Sequence, residues 1–386
     1  MSQSFNPTAA VHYDSSLVLA IELSNKSWVL AAQVPGLPNT KAKRTIEPNK
    51  LALQSAIDGY RARAVAAGYR VDRVVATYEA GWSGFWLARW LTANGVEVHV
   101  VQPSSVPVDR RMRRAKSDGI DAELLLRTLL AWLRGEPRVC SMVPIPEEAD
   151  EDARRSIRER TELVTERVGL TNRIGAVLAT LGIDDDYNPL LQSRRRRLKD
   201  LRTGLGEPIP PNALAKIERL LSRLELVLTQ IAELERERDA VAETATPDAA
   251  GKMIQQLCSL RGIGVQSATV LVREAFVRHF ANGKALGSYA GLTATPYSSG
   301  GVEREQGIGK AGNRRLRTVM VELAWLWQRY QPGAAQVIWF RERTGSTGRR
   351  VRKVMVVALA RKLLLALWRF AVDGVVPEGA MMKPAI

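Results

Sequence analysis

The sequence predicts an α/β domain over residues 1–146, a long helical coiled-coil arm over residues 147–246 and a mainly α-helical domain over residues 247–386. Three observations support this division. In the first part, strand-like runs alternate with helical runs, which is typical of a domain built on a mostly parallel sheet. In the second part, strand formers are nearly absent and apolar residues recur at helical spacing. In the third part, short helical runs surround glycine turns in a basic context.

The α/β domain opens with two apolar, β-rich runs, residues 17–23 and 27–33, and the short polar segment between them predicts a hairpin. Periodicity predicts the elements that follow. They are a helix over 50–68, a strand over 71–78, a helix over 84–94, a strand over 96–101 and a helix over 118–134. Strand ends of an open α/β sheet are where ligands gather, so residues at those ends are candidates for a site.

The arm is predicted from its apolar spacing. Between residues 212 and 243, apolar side chains recur alternately three and four residues apart, as in the seam of a coiled coil. They are Leu214, Ile217, Leu221, Leu224, Leu228 and Ile231. A Pro- and Arg-rich connection precedes this helix, so we expect an antiparallel helical hairpin that is open to pairing with a second protomer. The run Arg194–Arg197 in that connection fits phosphate contacts and fits a solvated charged face equally well.

The charge of the chain indicates a polyanionic partner. Lys and Arg number 56 against 40 Asp and Glu, a formal net charge of +16, and nucleic acid is the leading candidate. The sequence shows no signal peptide or membrane anchor, so we expect a cytoplasmic, nucleoid-associated protein with no membrane partner. Cys140 and Cys258 lack neighbouring ligands, which predicts two buried thiols. The segment after about residue 372 is expected to be disordered.

Four acidic residues are placed where a metal site would form. Glu22 lies in the first strand, Glu79 ends the third, and Asp118 and Asp121 open a helix. Carboxylates that converge at strand ends bind hard cations such as Mg²⁺, and two ions about 4 Å apart clamp both oxygens of a phosphodiester exchange. Each acid also has a structural explanation. The two aspartates fit an N-cap with its reciprocal acid, and the two glutamates fit a solvent-facing and a strand-end position.

A glycine turn links two helical runs within residues 257–272. The turn, Gly262 to Gly264, resembles that of a helix-hairpin-helix, which presents backbone N–H groups to a DNA phosphate. The alternative is a plain helix–loop–helix in which the glycines supply the C-cap and the turn.

A pair of serines precedes a cluster of cations. Residues 298–301, Ser-Ser-Gly-Gly, predict a turn, and Lys310, Arg314, Arg315 and Arg317 follow it. A serine attacks phosphorus when its hydroxyl is activated, and clustered cations stabilise the charge that develops on the phosphate. Taken alone, such a loop is more often only a flexible turn.

In this order, the segments resemble insertion-sequence transposases that have an N-terminal RuvC-like (RNase H-like) DEDD domain and a C-terminal transposase domain, the bridge-RNA-guided recombinases. The resemblance covers roughly residues 16–370. It is carried by Glu22 to Lys26, Glu79 to Gly81, Lys116 to Ala122, Gly262 to Gly264, Tyr289 to Pro296, Ser299-Gly300 and Lys310 to Arg317. The chain departs from the family in having Glu22 where Asp is usual, and one extra residue before Pro296.

The resemblance implies a DNA transposase or site-specific recombinase that excises and inserts a mobile element. Ser299, with Ser298 as the substitute, would form a transient phosphoserine link to DNA beside Mg²⁺ held by the acidic residues of another protomer. A structured bridge RNA would select the DNA sites for a dimer or tetramer. Asn313 would join Gly262, Gly264 and the cations in binding nucleic acid. Two other functions fit the residues: a metal-dependent junction-resolving nuclease that uses water, and a nucleic-acid-binding protein with a decayed metal site.

Overall fold

The computed structural model of the chain describes residues 12–38, 43–107, 118–183, 187–299, 302–309, 312–345 and 348–384. The chain divides into two compact units, Met1–Glu147 (unit 1) and Glu148–Ile386 (unit 2). The arm and the C-terminal domain expected from the sequence both fall within unit 2. Their separation near residue 246 stays a prediction.

Unit 1 is a mixed sheet with helices packed on its two faces. Its described elements are β1 (Ser16–Leu23), β2 (Trp28–Gln33), β3 (Lys43–Ile46), α1 (Lys50–Ala66), β4 (Arg73–Glu79), α2 (Trp86–Ala93), β5 (Glu97–Val101), α3 (Asp118–Leu133) and β6 (Met142–Val143). The strands lie in the order β3-β2-β1-β4-β5-β6. Only β1, β4 and β5 are parallel neighbours among these strands, because β2, β3 and β6 join by antiparallel pairing. The expectation of a mostly parallel sheet was therefore wrong.

The predicted elements of unit 1 occur where the periodicity placed them, with ends shifted by a few residues. The two strands that the sequence did not predict are β3, with four residues, and β6, with two. Runs this short show no alternation of apolar and polar residues. Both lie at the edges of the sheet and add two antiparallel pairings to that of the β1–β2 hairpin.

The central strand β1 is buried on both faces, as its unbroken apolar run requires. Leu17, Leu19 and Ile21 belong to the core that α1 and α2 cover. Val18 and Ala20 belong to the opposite core, which α3 covers and which also contains the free, buried thiol of Cys140. The direction of each side chain along β1 therefore decides which of two cores it enters.

Unit 2 is mainly helical. Its described elements are α4 (Glu148–Asp152), α5 (Arg155–Thr180), α6 (Gln192–Arg196), α7 (Pro211–Glu243), α8 (Ala249–Cys258), α9 (Val265–Leu271), α10 (Gly283–Tyr289), β7 (Ala294–Ser299), β8 (Val302–Ile308), α11 (Arg314–Tyr330), α12 (Ala335–Thr344) and α13 (Arg349–Asp373). One π-helical turn, Val272–Phe276, continues α9. None of the helices in the described part of the chain is both long and apolar enough to cross a membrane.

The helices α5 and α7 form an antiparallel pair, which we call the arm. Arg160 near the start of α5 bonds Glu235 near the end of α7, at 2.8 Å from its Nε. Every residue of the predicted apolar seam is buried or partly buried in the core of the arm, where α5 contributes Leu170, Ile174 and Leu178. The predicted antiparallel pair of helices is present, whereas the coiled-coil character of the arm and its pairing with a second protomer stay predictions. Within the connection, Arg195 pairs with Glu225 at 2.7 Å and is not simply solvated.

The C-terminal part of unit 2 differs from expectation in three ways. Its helices are not all short, since α11 has 17 residues and α13 has 25, whereas α8, α9, α10 and α12 have 7 to 10. It contains the antiparallel β7–β8 pair, which helical periodicity could not reveal. Its tail is ordered through residue 384, because Met382 bridges Leu260 and the Lys383 N–H donates to the Ser259 carbonyl at 2.7 Å. The neighbouring Cys258 is a half-buried free thiol and not a fully buried one.

Candidate functional site

Glu22 and Glu79 lie side by side at one end of the sheet. Strands β1 and β4 are parallel, with Ile21 opposite Tyr78, so the next residue of each strand is a glutamate. Neighbouring strands are about 4.8 Å apart. Because side chains alternate, both glutamates lie on the face that α3 covers, and both are half-buried. The structure brings this pair of acids together.

Asp118 and Asp121 occupy the first turn of α3. This helix packs against β1 and β2 on the face that Glu22 shares. Arg134, which directly follows α3, lies close to Tyr13, which precedes β1. The first turn of α3 therefore lies toward the opposite end of β1, where Glu22 is found.

A lysine also lies at the first turn of α3. Lys43 on β3 pairs with Glu123 at 2.7 Å, and its Nζ is 3.3 Å from the point that a Cβ on Gly119 would occupy. Carboxylates in the first turn of a helix also interact favourably with the helix dipole. A structural role for Asp118 and Asp121 thus stands beside the metal-binding one.

The acidic residues fit Mg²⁺ in the kind of ligand that they offer. Mg²⁺ prefers oxygen donors and is usually held by one or two carboxylates together with water and substrate phosphate. Glu22 and Glu79 are adjacent, and their carboxylates are oxygen donors of this kind. Across the described ranges, no three His, Cys, Asp or Glu side chains gather into a metal site. The structure therefore forms two acidic pairs and does not converge all four carboxylates.

The glycine turn, Gly262 to Gly264, joins α8 to α9. Gly262 has a φ of +86°, and a Cβ there would lie 2.9 Å from Cβ of Tyr330, so both conformation and space require glycine. The Ile263 carbonyl accepts a hydrogen bond from Lys383 at 3.0 Å. Gly264 is the N-cap of α9, with open space where its Cβ would be. The two helices joined by a glycine turn are present, and their assignment as a DNA-binding helix-hairpin-helix stays a prediction.

The two candidate serines lie at the end of a β-hairpin, which we call the serine hairpin (β7 and β8). Ser298 pairs with Glu303, and Ser299 pairs with Val302 as the last residue of β7. Gly300 and Gly301, which complete the predicted turn, lie outside the described residues. A loop between helices was expected here, and the structure has a strand that ends at Ser299.

The base of the serine hairpin is closed by a contact between two glycines. A Cβ on Gly312 would lie 2.2 Å from the Gly291 nitrogen and 2.5 Å from the Gly291 Cα, so the two backbones touch. The Asn313 N–H donates to the Tyr289 carbonyl at 2.7 Å beside this contact. The Arg317 guanidinium donates to the Gly309 carbonyl at 3.4 Å. These contacts hold together the two chain segments from which the hairpin extends.

The predicted cations lie at the start of α11. Arg314 is exposed, whereas Arg315 and Arg317 are half-buried. Arg315 lies 3.8 Å from Glu162 of α5. With Arg314, it lines a groove of about 1030 Å³ between α5, α9 and α11. Lys310 lies outside the described residues.

A buried carboxylate connects the arm to the start of α11. Glu274, in the π-helical turn, is 1% exposed and accepts two hydrogen bonds from Arg158 of α5, at 3.1 and 3.2 Å. The Asn313 amide donates a third at 3.0 Å, while the Asn313 Oδ1 accepts from the Leu316 N–H at 3.1 Å and caps α11. The Tyr289 hydroxyl donates to the Glu274 carbonyl at 3.0 Å. Asn313 is thus fully occupied inside the protein.

Both members of the ion pair are charged at neutral pH. Burial alone would raise the pKa of Glu274, but the hydrogen bonds and charge of Arg158 hold that pKa below its ordinary value. Burial lowers the pKa of Arg158, and Glu274 more than reverses this. A π-helical turn often marks a functional position, and here it directs a charged group into the junction of three helices.

Comparison of this sequence with known proteins identifies relatives that are consistent with the structure described above. A family model described as Transposase IS116/IS110/IS902 family matches residues 254–338. A protein of Sinorhizobium fredii named "Putative transposase y4rJ" is 43% identical over 385 residues, which are 98% of this chain and 97% of that protein. The chain belongs to the IS116/IS110/IS902 family of transposases.

A second family model, for the DEDD transposase of IS110 elements, matches residues 49–183 of this transposase. The transposase for insertion sequence element IS1328 of Yersinia enterocolitica is 27% identical over 297 residues, 75% of this chain and 81% of that protein. The transposase is a DNA-cleaving and DNA-rejoining enzyme, and the mixed α/β unit 1 is consistent with a DEDD, RuvC-like domain. The DEDD match contains Glu79, Asp118 and Asp121 and begins after Glu22.

Sequence reasoning about this transposase missed Arg158 and Glu274. One signal was available, because Arg273 and Glu274 together interrupt the apolar run TVLVREAFV (residues 269–277). A carboxylate in such a run is buried, and a buried carboxylate requires a partner. The identity of the partner had no local signal, since it lies 116 residues away.

Proposed function

We propose that this transposase excises and inserts its mobile element through a covalent link between Ser299 and a DNA strand. The Ser299 hydroxyl loses its proton as an Oγ–P bond forms, and the P–O bond to one deoxyribose breaks. The released oxygen takes up a proton and leaves as a DNA hydroxyl. Attack by a hydroxyl of the second DNA reverses these steps, restores the serine and joins the new strands.

The observation that carries the proposal is the placement of Ser299 as the last residue of β7 in a hairpin with a closed base. A nucleophile must be held in a fixed position to react at a useful rate. The contact of Gly291 with Gly312 fixes the base from which β7 extends to Ser299. Arg314, exposed in the first turn of α11, is a candidate to stabilise the charge that develops on the phosphate.

The acidic residues of unit 1 would act with the serine. We propose Glu22 and Glu79 as the first Mg²⁺ ligands, because they are adjacent, and Asp118 and Asp121 as the residues that complete the set. Bound Mg²⁺ would supply positive charge to the phosphate oxygens. Since Glu22 is one methylene longer than the usual Asp, the carboxylate would hold the ion farther from β1. Assembly of the two halves from different protomers would require a dimer or tetramer.

A structured bridge RNA is proposed to select the element ends and the DNA target, with the protein acting at the nucleoid in the cytoplasm. Gly262, Gly264, Lys310, Arg314, Arg315 and Arg317 are the proposed nucleic-acid contacts. Asn313, which was expected to join them, has its side chain occupied by Glu274 and Leu316. Sequencing the RNA that co-purifies with the transposase tests this part. Recovery of one structured transcript from the element is the expected result, and recovery of only bulk cellular RNA would contradict it.

Trapping the reaction under denaturing conditions tests the serine mechanism. Wild-type protein incubated with element DNA and Mg²⁺ should give a protein–DNA adduct that survives denaturation. S299A should give none, whereas S298A, the matched neighbour, should keep it. Adduct formation by S299A but not by S298A would move the nucleophile to Ser298, and adducts from both variants would refute a serine link.

The same experiment separates the rival functions. A junction-resolving nuclease that uses metal-activated water would release free DNA ends without any adduct, a reaction that the adjacent pair Glu22 and Glu79 would also support. A nucleic-acid-binding protein with a decayed metal site would leave the DNA intact whether or not Mg²⁺ is added.

A further inference from the structure

The positive charge of the chain is concentrated in a region to which the proposed strand transfer assigns no role. Residues 335–373, which form α12, α13 and their connection, contain nine Lys and Arg against two acidic residues. The whole chain has a net charge of +16. About a tenth of the sequence thus supplies seven of the sixteen net charges, which indicates a polyanion-binding surface at this place.

An exposed tryptophan lies in an acid-free pocket of this region. The pocket, of about 470 Å³, lies between α11, α12 and α13. Trp325, 45% exposed, lines it together with Arg329, Arg341 and Arg352, each from one of the three helices. None of the described residues that line this pocket is acidic. An exposed indole beside arginines from three helices offers a flat stacking face next to positive charge, which is the combination found in single-strand nucleic-acid sites.

The opposite side of α12 repeats the same chemistry. A second pocket, of about 330 Å³, is lined by Trp339, Lys362 and Arg369, again without an acidic residue among the described lining. The Lys362 Nζ lies 4.6 Å from the centre of the Trp339 ring, so this indole is already covered by a cation. Among the residues that the structure describes, no cation lies over the Trp325 ring, so this ring is available for stacking. We call the two pockets and α12 between them the α12 surface.

The absence of acids is not a general property of this basic protein. The larger groove beside Arg314 contains Glu162, Glu166 and Glu322 in its lining. Carboxylates at those positions offset part of the positive charge that the arginines of the same groove supply. The described lining of the two pockets carries only positive charge, so they suit a nucleic-acid strand better, although α12 itself also contains the exposed Glu342.

We infer that the α12 surface binds unpaired nucleotides, with a base stacked on Trp325 and the adjoining phosphates on Arg341 and Arg352. A flat indole stacks on a base only when that base has left a duplex, and guanidinium groups pair with backbone phosphates in any sequence. A pocket of about 470 Å³ has room for a single nucleotide. Unpaired DNA and unpaired RNA share this chemistry. The surface does not include Ser299, so this inference can be tested independently of the covalent mechanism.

Binding of labelled oligonucleotides to the full chain tests the inference. Fluorescence anisotropy is measured with single-stranded DNA and single-stranded RNA of roughly 20 nucleotides, enough to cover a binding site, and with a duplex of the same length. W325L keeps apolar bulk but removes the stacking ring, and W325F keeps a ring. We expect W325L to weaken single-strand binding about tenfold, W325F to restore most of it, and neither to change duplex binding. Loss with only one of the two strands identifies DNA or RNA as the natural ligand.

The arginines are tested through the salt dependence of binding. R341A/R352A should lower the slope of log affinity against log salt by about 1.4 for a single strand, since each phosphate contact contributes about 0.7. R219A/R223A removes the same charge from exposed positions on α7 and is the matched control, with an unchanged slope expected. The inference is overturned if W325L binds both single strands as tightly as wild type, or if the control lowers the slope as much as R341A/R352A. Melting temperatures close to wild type establish that each variant is folded.

Discussion

Removal of Arg158 is expected to destabilise the junction of the arm, the π-helical turn and α11. Glu274 is 1% exposed, and R158A would leave its carboxylate with one neutral side-chain donor, Asn313, in place of three hydrogen bonds. Breaking a buried ion pair costs about 3–5 kcal/mol. Arg158 itself is 41% exposed, so solvent screens its side of the pair and places the loss near the lower limit, about 3 kcal/mol.

Hydrogen exchange measured by mass spectrometry localises this effect. Peptides that contain Glu274 and the start of α11 should exchange about 100-fold faster in R158A, which is what about 3 kcal/mol corresponds to. R155A is the matched control on the same helix, because Arg155 forms an exposed pair with Asp152, and its effect should stay below about 1 kcal/mol. Equal protection of wild type and R158A would refute the assigned role of the pair.

The loss in R158A should also depend on pH in a defined direction. The pKa of Glu274 is lowered in the folded protein, so its stabilising contribution is present above the ordinary pKa of 4.5 and is lost as the pH falls through the folded value. In R158A, Arg315 and Arg154 remain near Glu274, but burial would raise the pKa of Glu274 above its wild-type value, and the ionised carboxylate becomes more costly as the pH rises. The difference between the two proteins should therefore be largest near neutral pH and shrink below about pH 4.5. A difference that is constant with pH would exclude Glu274 as its cause.

Three further predictions follow from the described contacts. G312A forces a Cβ to within 2.2 Å of the Gly291 backbone and should open the base of the serine hairpin, which faster hydrogen exchange there would show. G307A is the control, because Gly307 has a φ of +85° but open space around it. It should lower the free energy of unfolding by only about 1–2 kcal/mol. E79Q removes one of the two adjacent carboxylates and should lower Mg²⁺-dependent DNA cleavage at least about 100-fold with DNA binding retained; cleavage at the wild-type rate would exclude Glu79 as a ligand. L224A, at a fully buried position of the arm, should cost about 2–5 kcal/mol in thermal unfolding, against less than about 0.5 kcal/mol for L226A at a 59% exposed position.

Local spacing predicted much of the fold. The central strands of unit 1 and the helices α1, α2, α3 and α7 follow from alternation and from the three-four repeat, because each of these periods is set by the geometry of the element itself. The edge strands β3 and β6 are too short to show a period. The serines and glycines between β7 and β8 are typical of a loop, so the sequence did not predict these strands. These strands exist because a neighbouring strand supplies their hydrogen bonds.

The candidate site likewise has features that the sequence predicted and features that only the tertiary structure decided. The sequence placed Glu22 and Glu79 at strand ends, and the parallel register of β1 with β4 makes them neighbours. The sequence also placed Ser299 near a turn, but only the contact of Gly291 with Gly312 decides that this turn extends from a closed base. Strand register and a contact between two backbones depend on residues that are distant in the sequence, so no local pattern can predict them.

The amino-acid sequence by itself determined the order of helices and central strands, the basic character of the chain and the residue types that carry its chemistry. The tertiary structure alone decided which of those residues meet. Arg158 and Glu274 are 116 residues apart and form one buried ion pair, and Trp325, Arg341 and Arg352 come from three helices to line one pocket. The reason is physical: periodicity depends on neighbours along the chain, whereas burial and charge pairing depend on neighbours in space, which exist only once the cores have packed.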